Sequence, residues 1–163
     1  MVRIHAARTL PVNPADAPFV LTRQQLWKAL QRKIRHADEF VPAMKKCVVV
    51  KDSNDIVLRE CLIETPSGET KTMTEEVTSH GEQFIIFRQL DGSVTTNLVS
   101  NGEDLGDRGL QLTYFFEWNH PEIQEGTPAY HEAVEQKNAI GLMAVKKSIE
   151  TARELIQNHV IDG

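Results

Sequence analysis

Arg59 and Glu75 are charged residues set in stretches that should be apolar on one side. Arg59 alternates with Val57, Cys61 and Ile63, and Glu75 alternates with Met73 and Val77. The two-residue period of a strand therefore puts each among side chains that belong to one face. On an inner face each charge would need a partner, because an isolated buried charge is very costly. An Arg59–Glu75 pair could orient a carboxylate or enol, or supply a proton donor and acceptor for enolisation. It could equally be a structural pair, or both residues could lie on the convex outer face, since one bulge reverses strand parity. Tyr114 offers a hydroxyl for catalysis or for orienting a ligand, and is grouped with Arg59 and Glu75 as a candidate catalytic residue. Asn97 could hydrogen-bond a ligand carbonyl or satisfy a neighbouring backbone group.

The element that must position Tyr114 is rich in aromatic residues. The run from Leu112 to Trp118 holds four of the chain's ten aromatic residues. Leu110, Leu112, Tyr114, Phe116 and Trp118 fall on one side of a strand, and Gln111, Thr113, Phe115 and Glu117 on the other. The bulky side must be covered. A segment over residues 127–160 has helical periodicity, with Thr127 as cap, Pro128 at the first position, and Val134, Asn138, Leu142, Val145, Ile149, Ala152, Ile156 and Val160 along one face. At about 1.5 Å per residue it would be near 50 Å long. Such a sheet and helix can pack solid or enclose a cavity. In the second case Leu112, Phe116 and Trp118 form apolar walls, Asn138 is a polar contact on the helix, and Leu142 and Met143 give adaptable cover. Plain core residues, and a wet position for Asn138 near the helix start, are the alternatives. Gly141 marks a bend, leaves room over the sheet, or is simply a surface glycine.

Composition narrows the classes of function. The 163 residues suit one domain over 1–163, with 40% hydrophobic and 25% charged residues and a mean hydropathy of -0.34. Net charge is -5 and the basic residues are scattered, so no phosphate-binding surface and no nucleic-acid partner is indicated. Arg23, Lys28, Arg32, Lys33 and Arg35 cluster on a helix, where a solvated outer face accounts for them. No apolar run approaches the ~20 residues of a membrane span, and the N-terminus lacks the apolar core of a secretory signal, which suggests a cytoplasmic protein. No nucleophile elbow, glycine-rich phosphate loop, H-E-x-x-H or C-x-x-C is present, so no cofactor is expected. The six histidines are dispersed and no metal site is expected. Cys47 and Cys61 lie nearly opposite each other across a turn and read as free buried thiols.

Order along the chain defines the class as α+β. A first strand over residues 2–12 precedes a proline-bracketed loop. Thr22 and Gln25 then form a capping box, flanked by Leu21 and Leu26, with Leu26, Trp27, Leu30 and Ile34 as the inner stripe. A short turn holding Phe40 and Val41 follows. Strands over 47–51, 56–63, 70–79, 83–89, 94–100 and 108–118 are separated by turn residues, with no helix between them, which favours an antiparallel sheet.

Several motifs together are specific. The run from Leu21 to Leu30, Phe40-Val41-Pro42, Asp91-Gly92-Ser93 with Asn97 to Ser100, and the run from Leu112 to Trp118 closely resemble the AtaL-like family of the START and birch-pollen-allergen superfamily, also called SRPBCC. The resemblance runs from about Arg8 to Gly163. It implies a helix-grip fold: two short helices after strand 1, a seven-stranded curved antiparallel sheet, and a long C-terminal helix with a hydrophobic cavity beneath it. The residues at Gly106-Asp107-Arg108-Gly109-Leu110 depart from the family pattern, which leaves the start of the last strand open. Members of the superfamily bind lipids, sterols or polyketides, and fungal members of this branch are associated with secondary-metabolite gene clusters. The resemblance therefore implies a hydrophobic small-molecule ligand and a cofactor-free cyclase, dehydratase or isomerase of polyketide-type metabolism. A non-catalytic carrier and a protein-interaction module are the alternatives, and the sequence leaves the oligomeric state open.

Overall fold

The computed structural model describes residues 2–162. Its strands are β1 (Val2–Pro11), β2 (Met44–Asp52), β3 (Ile56–Glu64), β4 (Thr70–His80), β5 (Phe84–Gln89), β6 (Val94–Asn101) and β7 (Leu110–His120). They form one antiparallel sheet in the order β1-β7-β6-β5-β4-β3-β2. β2 to β7 form a meander because turn residues end each strand. Between β2 and β3, Asn54 takes a φ of 65° while its N–H donates to the Asp52 carboxylate. β1 then pairs with β7 over its whole length, from Val2 opposite His120 to Pro11 opposite Gln111.

Two helices cover the inner face. α1 (Arg23–Arg35) starts with the capping box that the sequence indicates, Thr22 and Gln25 each bonding the other's backbone N–H. Asp107 adds to it by accepting from the Arg23 N–H at 2.9 Å. That use of Asp107 explains the start of the last strand: Asp107–Gly109 form a 3-10 turn, and β7 begins at Leu110 rather than at 108. The second short helix is likewise a single 3-10 turn, Ala37–Glu39. Leu26, Leu30 and Ile34 are buried as the stripe requires, whereas Trp27, a step off their line, is half-buried.

α2 (Pro128–Gln157) is capped by Thr127 and lies along β1 and β7. Among the described residues no helix is long and apolar enough to cross a membrane. Arg153 fixes the C-terminal half of α2, donating to the Phe19 and Val12 carbonyls and to Asn13 Oδ1. Asn13 in turn exchanges two hydrogen bonds with the Leu21 backbone just before α1. Burial along α2 is uneven. Val145, Ser148, Ile149, Thr151 and Ala152 are buried, but in the preceding half only Gly141 is.

At Gly141 the helix lies close against the sheet. A Cβ there would lie 3.2 Å from both Phe116 Cε2 and Arg8 Cγ. Gly141→Leu is expected to destabilise the protein by about 1–3 kcal/mol, because crowding exceeds the gain in helix propensity. A denaturant melt measures this, and a variant at least as stable as the parent would contradict the close approach.

Candidate functional site

Of the faces the sequence leaves open, Arg59 and Glu75 both take the inner one, at 2% and 3% exposure, directly opposite each other on β3 and β4. Arg59 Nε and Nη2 donate to Glu75 Oε2 at 2.9 and 2.6 Å. Arg59 Nη1 donates to the carbonyls of Lys33 and Ile34 at 3.1 and 2.8 Å. Those carbonyls belong to the last turn of α1, which has no helical donors left to satisfy them. Four of the five guanidinium N–H donors are thus consumed, two by Glu75 and two in docking the helix. Among the described residues Glu75 Oε1 is met only by Gln89 Nε2, at 3.4 Å. The pair forms, and its geometry is that of a structural clamp.

The group that sequence reasoning missed lies beside it. Lys33 is not on a solvated face; it is 6% exposed and points from α1 into the sheet. Its Nζ donates to Asn97 Oδ1 and to Tyr114 Oη, both at 3.0 Å, and sits 4.3 Å from the Tyr114 ring centroid. Tyr114 Oη donates onward to Ser148 Oγ of α2 at 2.7 Å. The signal was legible: Lys33 follows Leu26, Ala29 and Leu30 at intervals of seven, four and three, on the stripe itself. Burial, reinforced by the Arg59 charge, brings the Lys33 amine down from 10.5 to about 7. Burial pushes the Tyr114 phenol up, only partly offset by its bond to Ser148. Asn97 is fully buried, and its Nδ2 has no partner among the described residues.

Beyond this sealed region the inner face is unroofed. Ile63, Met73, Gln89, Thr95 and Trp118 share the face yet are only half-buried, as are Val134, Lys137, Asn138 and Leu142 on the first half of α2. They mark an open part of the inner face beside the first half of α2. Phe116 and Trp118 stack there with ring centroids 4.5 Å apart and planes 7° from parallel. Lys137 Nζ stands 4.5 Å over the Trp118 ring. Leu112 lies at the other end of the strand, fully buried in the core and away from this open part. Asn138 Nδ2 bonds the Val134 carbonyl of its own helix at 3.0 Å. Met143 is 68% exposed, because one residue past Leu142 the helix has already turned about 100° toward solvent. A surface depression of about 520 Å³ is lined by outward-facing side chains including Phe84, Ile86, Leu98 and Phe115, and one of about 460 Å³ lies at the β1–β7 pair, where Ala6 and Phe116 line it. Among the described residues no three His, Cys, Asp or Glu side chains are placed to hold a metal ion.

The sequence matches the family described as AtaL, acetylaranotin biosynthesis cluster protein L, over residues 6–159. The chain belongs to the AtaL family. No curated protein matches it. Solved structures place this AtaL-family chain in the helix-grip fold. An aromatase/cyclase, Zhui, from Streptomyces sp. R1128 superposes with a TM-score of 0.66 at 15% identity, covering 94% of each chain. A START superfamily protein from Mycobacterium smegmatis gives a TM-score of 0.67 at 10% identity, covering 94% of this chain and 99% of that one. The di-domain ARO/CYC StfQ of the steffimycin pathway gives 0.69 at 16% identity, where 93% of this chain spans only 51% of that one.

The buried amine has a measurable consequence. Between about pH 7 and 10.5 the unfolded chain keeps a proton on Lys33 that the folded chain has released. Stability from this group therefore rises with pH through that window and is flat below it. Lys33→Met removes the effect, so its stability relative to the parent is expected to be roughly 3 kcal/mol more favourable at pH 6 than at pH 9.5. Denaturant melts at the two pH values give the difference, and parallel behaviour of parent and variant would contradict a buried amine.

Proposed function

We propose that this AtaL-family chain binds a hydrophobic, polyketide-type small molecule at the open part of the inner sheet face beside the first half of α2, and promotes its cofactor-free cyclisation, dehydration or isomerisation. The observation that carries this reading is Trp118, half-buried and stacked on the buried Phe116 ring, at an open part of the inner face. Flat aromatic walls suit an extended or aromatic ligand, and holding a flexible chain in one folded conformer is itself a large part of such catalysis. Similarity in fold to proteins named aromatase/cyclase supports the choice of chemistry.

Within that reading each residue takes a role. Phe116 and Trp118 are the walls, with Leu142 as cover and Asn138 as a contact on the rim. Tyr114, Asn97 and Lys33 lie behind Phe116 and are the proton-handling groups: a lysine amine near neutrality can accept a proton that the adjoining phenol relays. Arg59 and Glu75 act by positioning α1, and through it Lys33. A second reading, a carrier without turnover, is favoured by the depth of these groups, since Asn97 and Tyr114 are 0% and 1% exposed.

Binding and turnover separate the two. In a Trp27→Phe background, an anthraquinone is expected to quench Trp118 fluorescence saturably; absence of saturable quenching overturns the binding site. With a poly-β-keto thioester, Tyr114→Phe is expected to lower turnover by about 10²–10⁴-fold with little change in quenching. Equal product from parent, variant and buffer would leave the carrier reading standing and remove the catalytic one.

A further inference from the structure

The two cysteines form a feature that ligand binding does not use. Cys47 on β2 and Cys61 on β3 are directly opposite in the strand register, and their sulfurs are 2.9 Å apart. Both are free thiols, Cys61 buried and Cys47 half-exposed toward the unroofed end of the sheet. β2 is the outermost strand, paired only with β3, and its ladder slips on both sides of Cys47, between Met44 and Lys46 and between Val49 and Lys51.

We propose that Cys47 and Cys61 are a redox-active dithiol, in which Cys47 is oxidised by a hydroperoxide and Cys61 resolves the product as an intrachain disulfide joining the edge strand to its neighbour. Three features distinguish the two sulfurs. Only Cys47 has solvent access. The hydrogen bond shared with Cys61, the nearby Arg59 charge and the Ala37 N–H together hold the Cys47 thiol below its usual range. Cys61, the more buried of the two, is pushed up. Solvent access makes Cys47 the attacking sulfur, and burial opposite it makes Cys61 the resolving one.

The chemistry balances with a hydroperoxide as the oxidant. The Cys47 thiolate attacks the terminal peroxide oxygen, the O–O bond breaks, and the departing alkoxide or hydroxide takes a proton, leaving a sulfenic acid. The Cys61 sulfur then attacks the Cys47 sulfur; the S–O bond breaks, and the leaving hydroxide takes the Cys61 proton as water. Two thiols lose two electrons and the peroxide gains them. Because the strands already hold the sulfurs in contact, the second step needs no rearrangement of the fold.

Exposure of the purified protein to hydrogen peroxide tests this. The parent is expected to lose two hydrogen atoms in intact mass and both alkylatable thiols, without forming a disulfide-linked dimer, and to recover them with dithiothreitol. Cys61→Ser is expected to trap a sulfenic acid at Cys47 that dimedone labels, roughly tenfold faster than Cys61 is labelled in Cys47→Ser. Retention of both thiols in the peroxide-treated parent, a cross-link between chains, or equal labelling of the two variants overturns the proposal. The parent measurement stands even if a serine variant fails to fold.

Discussion

A guanidinium at 2% exposure is tolerable only because Glu75 neutralises it and two α1 carbonyls, which the helix cannot satisfy itself, accept from it. Arg59 thereby joins β3, β4 and the end of α1 in a single contact. The rest of the inner face follows from that docking. With its C-terminal turn held over the sheet, α1 must direct Lys33 inward, and the amine finds Asn97 and Tyr114 on the neighbouring strands β6 and β7. Tyr114 completes the chain to Ser148, so both helices are tied to the sheet through one polar thread.

The thread divides the grip into unequal halves. On one side, α1, the C-terminal half of α2 and the Arg153 contacts close the core around Leu112, Val99 and Ile85. On the other, α2 stays over β1 and β7 and leaves the middle strands uncovered. Trp118, stacked on the buried Phe116, is therefore partly open to solvent beside the buried group of Lys33, Asn97 and Tyr114. Low dielectric is what makes such a juxtaposition useful, because proton affinities there depart from their aqueous values. It is also why the amine of Lys33 carries a cost in stability that an apolar residue would not.

Periodicity made most of this architecture legible. The single-face pattern from Leu110 to Trp118, the capping box at Thr22 and the alternation around Arg59 and Glu75 each state a local geometry that tertiary structure did not need to override. Lys33 was obscured by its neighbours: Arg32 and Arg35 do form exposed ion pairs, with Glu39 and Asp52, so the cluster reads as surface unless the stripe is followed residue by residue. Met143 failed for the converse reason, an apolar residue one step off the buried line. The clamp role of Arg59 depends on where α1 ends relative to β3, a long-range fact that no spacing encodes. The charge near Cys47 is of the same kind, supplied by a residue of the neighbouring strand.

The most direct test of the proposed binding site is a backbone amide chemical-shift map of the protein with a saturating anthraquinone. The account predicts perturbations concentrated on Met73, Gln89, Thr95, Phe116, Trp118 and residues 134–142, with the outward-facing residues of β5 and β6 unaffected. Perturbations confined to Phe84, Ile86, Leu98 and Phe115 would place the ligand in the outer depression and contradict it.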